Sequence, residues 1–202
     1  MMNIVLIGFM GSGKTTVGRA LSAKSDMEFL DTDALIESKE DCKISTIFAE
    51  KGEAHFRALE NAALKSLAAT KDKVISTGGG IVSSPNNREL LKKAGKVIYL
   101  RVGPKTVIKR LEGDISRPLL MGEDKLSRVE ELLSLRRALY ESTADRIIDV
   151  DDLSVEEIEQ LERTIASFFD YIERIIERRE IFTMKAFIES VDKFLDFNEY
   201  HI

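Results

Sequence analysis

From Asn3 to Ile7 the chain is apolar and rich in β-branched residues, and it then meets a glycine. From Thr16 the apolar positions take helical spacing, with Val17, Ala20 and Leu21 on one side. This pattern predicts a strand, a glycine-bearing loop and a helix at the start of the chain. Met27-Glu28-Phe29-Leu30 reads as a second short strand ending in Asp31-Thr32-Asp33, and Ala34, Leu35 and Ile36 begin another helical stretch. Lys43 to Phe48 suggests a short helix stopped at Gly52. From Glu53 the set Phe56, Leu59, Ala63, Leu64 and Leu67 repeats at helical spacing. Val74 to Thr77 is a third strand closed by Gly78-Gly79-Gly80, and Ser84-Pro85-Asn86-Asn87 turns into a helix around Glu89 to Ala94. Lys96 to Val102 is a fourth strand, Lys105 to Leu111 and Arg128 to Tyr140 are helices, and Arg146 to Val150 is a fifth strand. Strands alternating with helices predict a three-layer α/β fold, a five-stranded parallel sheet flanked by helices. Ligands of such sheets sit beyond the carboxyl ends of the strands. The first loop, Asp31/Asp33 and the triple glycine all fall there, so they are expected to converge.

Two segments break the alternation. Residues 112–124 carry Gly113, Pro118 and Gly122 around Arg117 and link two helices. Long connections of this kind in compact domains are often mobile active-site lids, or else ordinary surface loops. Ser154-Val155-Glu156-Glu157 is a capping box that opens a helix with Ile158, Leu161, Ile165, Phe168, Phe169, Ile172, Ile175 and Ile176 on its stripe. A second stripe, Met184 to Leu195, follows with no Gly or Pro between, which fits one long helix or a helical hairpin.

The first loop, Gly8-Phe9-Met10-Gly11-Ser12-Gly13-Lys14-Thr15, has the full G-x-x-x-x-G-K-[ST] spacing between strand and helix. Glycines let backbone N–H groups approach phosphate oxygens, and the following helix points its positive end at the same anion. Lys14 is placed to reach the β- and γ-phosphates, and the Thr15 hydroxyl to ligate Mg²⁺. The loop predicts a nucleoside triphosphate site and leaves the reaction open.

Composition narrows the classes. The 202 residues, 44% hydrophobic and 32% charged, describe a globular domain with room for a core. A net charge of -5 argues against nucleic acid as the main partner. The single cysteine, Cys42, excludes an internal disulfide and fits a reducing compartment. No stretch approaches the length of a membrane span and no cleavable leader precedes the first strand, so a cytoplasmic protein is expected.

Motifs that would make the chain a GTP switch, N-K-x-D and a D-x-x-G after a strand, are absent. No acidic residue closes the third or fourth strand. Asp31 and Asp33 remain. Asp31 is placed to hold Mg²⁺ through water, and Asp33 to accept a proton from, or orient, an attacking hydroxyl, unless one of the two only caps the next helix. Arg57 sits in a mostly apolar helix and Arg136 in the helix after the candidate lid. Such arginines are most often solvated, but two reaching one pocket would clamp a carboxylate.

With Gly8 to Thr16, Asp31-Thr32-Asp33, Phe56-Arg57 with Glu60, Gly78-Gly79-Gly80, Arg117-Pro118-Leu119-Leu120, and Arg136 four residues before Tyr140, the chain resembles the shikimate kinases over roughly its first 165 residues. The resemblance implies the P-loop kinase fold and ATP-dependent phosphorylation of the 3-hydroxyl of shikimate, with Mg²⁺ as cofactor. It implies that Asp33 binds the substrate hydroxyls and assists deprotonation, that Arg57 and Arg136 hold the carboxylate, and that Gly78, Gly79 and Gly80 line the same pocket. The nucleotide would lie on Gly11, Ser12, Gly13, Lys14, Thr15 and Thr16, with Arg117 closing over the phosphates and Arg110 on the adenine side. Catalysis would rest on Asp33, Lys14 and Arg117.

The expected organisation is a kinase domain over residues 1–168, with its lid at 112–124, and a helical extension over 169–202 in which the chain departs from the family. The extension is expected to pack on the domain's own surface, with self-association or docking of another enzyme as alternatives. A monomer is otherwise expected. Two other functions remain open at this point: a kinase for another small hydroxy acid, such as gluconate, and a nucleotide-binding module without catalysis.

Overall fold

A computed structural model describes residues 2–112 and 124–151. The candidate lid around Arg117 and the expected C-terminal helical stripes lie outside the described residues. So do the expected boundary at 168 and the extension over 169–202. All described elements fall within the first unit of the chain, Met1–Ile158.

The order is β1 (Asn3–Ile7), α1 (Lys14–Lys24), β2 (Glu28–Asp31), α2 (Thr32–Glu40), α3 (Ile44–Ala68), β3 (Lys73–Ser76), a 3₁₀ turn (Ile81–Ser83), α4 (Pro85–Ala94), β4 (Gly95–Arg101), α5 (Pro104–Arg110), α6 (Lys125–Thr143) and β5 (Arg146–Asp149). All strand pairs are parallel and the sheet order is β2-β3-β1-β4-β5. This is the five-stranded parallel sheet that the sequence pattern predicts. The central strand β1 is buried along its whole length, as a strand covered on both faces must be.

Local chemistry sets the element ends. α2 begins at Thr32 rather than at Ala34, because Asp31 accepts from the backbone N–H groups of Asp33 and Ala34 and so starts the helix earlier. Gly52, at φ 79° and ψ 170°, breaks α3 into two helical stretches, at the stop that the sequence marks. Ser84 caps α4 through the N–H of Asn87, with Pro85 in its first turn.

The two sheet faces are distinct. Val5, Ile7, Ile75, Val97 and Tyr99 join Leu64, Leu67, Leu91 and Tyr140 in one core on the side of α3, α4 and α6. Leu6 and Phe29 point to the opposite side, against α1. A Cβ added at Gly18 of α1 would stand 2.5 Å from the Phe29 ring and 3.3 Å from Leu6 Cδ1. Among the described residues no helix is long and apolar enough to cross a membrane.

Candidate active site

The loop after β1 wraps its own lysine. Gly11 and Gly13 have φ of 74° and 88°, a region open to glycine and strained for other residues, and Gly13 is the N-cap of α1. Lys14 is buried, and its Nζ donates to the carbonyl oxygens of Gly8 and Phe9, each at 2.9 Å, and to Ser12 Oγ at 3.4 Å. The ammonium is thus held at the mouth of the loop by groups that an incoming phosphate can replace. Thr16 follows on the exposed side of α1. Arg110, at the end of α5, donates to Gly11 O at 3.2 Å and to Val150 O, which places it against the loop.

Asp31 serves two elements at once. One carboxylate oxygen caps α2, and the other accepts from Thr15 Oγ1 at 3.2 Å. The hydroxyl and the carboxylate are hard oxygen donors, adjacent and at the edge of the phosphate loop, which fits Mg²⁺ held by few protein ligands and completed by water and phosphate. Among the described residues no group of three or more His, Cys, Asp or Glu could make an all-protein cage. The cap that the sequence leaves open between Asp31 and Asp33 therefore belongs to Asp31, whose other oxygen stays on Thr15 at the edge of the phosphate loop.

Across the loop lies a second pocket, lined by charged side chains of both signs. Asp33, in the first turn of α2, and Glu60, on α3, both aim a carboxylate oxygen at Gly78. A Cβ there would stand 2.6 Å from Asp33 Oδ1 and 3.0 Å from Glu60 Oε1. Gly80 does the same for Arg57, whose guanidinium nitrogens would lie 2.6 and 2.8 Å from an added Cβ. Glycines at 78 and 80 therefore keep the pocket floor open to these side chains. Gly79 shows its other side: its carbonyl accepts from Arg136 Nη1 at 3.3 Å and from the Tyr140 hydroxyl. An added Cβ at Gly79 would come 3.2 Å from the backbone nitrogen of Met10, so the triple glycine and the phosphate loop share a wall. Arg136 also lies 5.9 Å above the ring of Phe9 in that loop. Thr32 Oγ1 accepts from Gly78 N at 3.1 Å, tying the triple glycine to the end of β2.

One charged group of this pocket, Glu60, is fully buried, and Asp33, Arg57 and Arg136 are partly so. Glu60 is 1% exposed; its Oε2 meets Arg57 Nη1 at 2.6 Å while Oε1 has no hydrogen-bond partner. Burial pushes the Glu60 carboxyl above its ordinary range against the opposing pull of Arg57. Burial also works against the Arg57 cation, but its hydrogen bonds and charge pairing with Glu60 and Glu53 more than offset this, and its pKa rises. Burial likewise raises the Tyr140 hydroxyl, which therefore acts as a fixed donor to Gly79. Tyr140 stacks on Tyr99 of β4, with ring centroids 4.8 Å apart.

Asp33, Arg57, Gly78, Gly79, Gly80 and Arg136 are thus brought together opposite Gly11 to Thr15, and Arg117 lies outside the described residues. Glu60 and Tyr140 carry the family resemblance in the sequence, but their positions there assign them no role. The signal for Glu60 was available: it falls on the apolar stripe of α3, four residues after Phe56 and four before Leu64.

A phosphate loop following the central strand of a β2-β3-β1-β4-β5 parallel sheet, with an acceptor pocket across from it, defines a P-loop kinase of small molecules. The shikimate kinase family model matches residues 10–178. The shikimate kinase of Alkaliphilus oremlandii is 45% identical over 158 residues, covering 77% of this chain and 94% of that protein. The shikimate kinase of Caldanaerobacter subterraneus subsp. tengcongensis is 42% identical over 158 residues, 78% of this chain and 92% of that protein. Among solved structures, shikimate kinase from Acinetobacter baumannii in complex with shikimate superposes with a TM-score of 0.77 at 36% identity, covering 89% of this chain and 96% of that one. This chain belongs to the shikimate kinase family.

Proposed function

We propose that the chain transfers the γ-phosphoryl group of ATP to the 3-hydroxyl of shikimate, giving ADP and shikimate 3-phosphate. The observation that carries this reading is the shared wall: the Met10 backbone of the phosphate loop and Gly79 of the acceptor pocket are in contact distance. A donor phosphate on one side and a hydroxyl on the other can then meet in line.

In this reading the shikimate carboxylate is held by Arg57 and Arg136, and its hydroxyls lie over Gly78 against Asp33 and Glu60. As the 3-hydroxyl oxygen forms its bond to the γ-phosphorus, the bond from that phosphorus to the β-phosphate oxygen breaks, and the hydroxyl proton passes to the Asp33 carboxylate. Lys14 exchanges its loop carbonyls for phosphate oxygens and follows the charge as it moves to the leaving group. Thr15 and Asp31 would hold Mg²⁺, which supplies neutralisation of the phosphate charge. Arg117 is assigned to the closing side of the nucleotide and Arg110 to its adenine side. Phosphoryl transfer leaves the protein mainly positioning and charge stabilisation to perform, and this set supplies both.

A coupled assay for ADP release tests the reading. Shikimate-dependent turnover with Mg²⁺-ATP is expected, well above that with gluconate or other hydroxy acids. No shikimate-dependent turnover would overturn it. Arg136→Ala is expected to raise the KM for shikimate by roughly 10–100-fold, the cost of losing a charge-assisted contact to a carboxylate, with the KM for ATP near that of the parent. Tyr140→Phe removes the hydroxyl that shares the Gly79 carbonyl with Arg136. It is expected to raise the shikimate KM by roughly 5–10-fold, on the scale of one neutral hydrogen bond, with kcat little changed. An unchanged KM would leave Tyr140 a purely structural residue.

A further inference from the structure

Ser76, the last residue of β3, is 1% exposed, and its Oγ has no hydrogen-bond partner. Buried hydroxyls are nearly always paired, because an unpaired one loses its water without replacement. The neighbouring Thr77 shows the usual solution: its hydroxyl donates to Leu6 O at 2.9 Å. Ser76 lacks such a contact, and alanine would fill the same space without an orphaned oxygen.

The register of the sheet shows where that oxygen points. Ser76 is paired with Leu6 of β1 on one side and with Asp31 of β2 on the other. Residues in register across a parallel sheet present their side chains to the same face. Leu6 lies on the α1 face, as does Phe29, two residues before Asp31. Asp31 itself reaches across that face to Thr15 at the start of α1. The Ser76 hydroxyl therefore stands on the α1 face beside Asp31, at the carboxyl end of the strand adjacent to the one that feeds the phosphate loop. In other P-loop proteins an acidic residue supports the cation from the end of a core strand, and neither β3 nor β4 ends in one here.

We propose that Ser76 is a positioning residue of the cation site: with Thr15 and Asp31 it forms the protein's hydrogen-bonding shell for the hydrated Mg²⁺ of the bound nucleotide. Its hydroxyl takes the place of the acidic strand-end residue and finds its partner only when metal and nucleotide are present. Asp31 supplies the single negative charge and Ser76 a neutral donor and acceptor. This inference rests on the kinase reading above.

The test is calorimetric titration of the full chain with ADP across a series of Mg²⁺ concentrations and in EDTA, together with thermal melting without ligand. In Ser76→Ala, the Mg²⁺ concentration that half-maximally tightens ADP binding is expected to rise about tenfold, the scale of losing an outer-shell partner. ADP affinity in EDTA is expected to stay the same, and the ligand-free chain to melt at the parent temperature or above it. An unchanged Mg²⁺ midpoint would overturn the proposal, and so would a ligand-free melting temperature clearly below the parent's, which would mark the hydroxyl as structural. Failure of the kinase reading looks different: the parent chain itself would then show no Mg²⁺-dependent ADP binding or no shikimate-dependent turnover.

Discussion

Replacing Asp33 with alanine is expected to lower kcat for shikimate phosphorylation by about 10²–10⁴-fold, the range that positioned general bases contribute, while ATP binding is retained. The expectation follows from placement. Asp33 stands in the first turn of α2, whose start is fixed by the Asp31 cap, so the backbone that carries its carboxylate is set by that cap. Its Oδ1 points at Gly78, where a Cβ would be only 2.6 Å away, and Gly78 is itself tied to Thr32. The carboxylate is thereby held over the acceptor pocket, with the phosphate loop behind it. Asp33→Asn separates the roles, since it keeps size and shape and one acceptor oxygen but cannot take the proton. Steady-state kinetics with both variants, with ATP affinity measured by calorimetry, decide the matter. Near-normal turnover by the asparagine variant would assign the proton elsewhere, and an equal loss of ATP binding would make Asp33 a residue of the nucleotide site.

Much of this was legible in the chain. The phosphate loop is read by local spacing, because its chemistry needs glycine, lysine and threonine within a few residues of one strand end. The helix stop at Gly52 and the cap at Ser84 are local too. Strand order is not local, and nothing in the pattern tells that β3 rather than β2 lies beside β1. The same holds for the contacts that complete the acceptor pocket. Tyr140 reaches Gly79 across 61 positions of sequence, and a tyrosine on the inner face of a helix reads as core until that meeting is seen. Glu60 was more accessible, as an acid on an apolar stripe requires a buried partner, and Arg57 one helical turn earlier is the nearest cation. Asp31 and Asp33 were read as competing for cap and chemistry. In the structure one Asp31 oxygen caps α2 while the other accepts from Thr15, so capping leaves a carboxylate oxygen at the edge of the phosphate loop, which a residue-by-residue reading has no means of expressing.

In the proposed site Arg57 would join stability to substrate binding, and Arg57→Ala is accordingly expected to damage both. Its guanidinium, a quarter exposed, is the hydrogen-bonding partner of the buried Glu60 carboxylate. Removing one member of a buried pair leaves the other charge uncompensated, which costs about 3–5 kcal/mol; partial exposure of Arg57 puts the value near the lower end. For a domain of this size that is a fall of roughly 6–12 °C in Tm. The loss depends on pH in a defined direction. Burial already holds the Glu60 carboxyl above its ordinary value of 4.5, and without Arg57 the opposing pull is gone. A carboxyl raised in the folded state contributes no penalty below its unfolded value, where it is neutral in both states, and loses stability as pH rises through the folded value. The Tm gap between parent and variant should therefore widen as pH rises past the folded value of Glu60 in the parent, itself above 4.5, and close towards acid. Arg57→Ala/Glu60→Gln, which removes the orphaned charge, should recover most of the Tm at neutral pH. It should not recover shikimate affinity, since the carboxylate clamp is still missing, and the KM should stay raised by about 30-fold or more. Melting curves across pH and shikimate KM for the single and double variants separate the two roles. Recovery of both in the double variant would mean that Arg57 serves only to neutralise Glu60, and that Arg136 alone holds the acid.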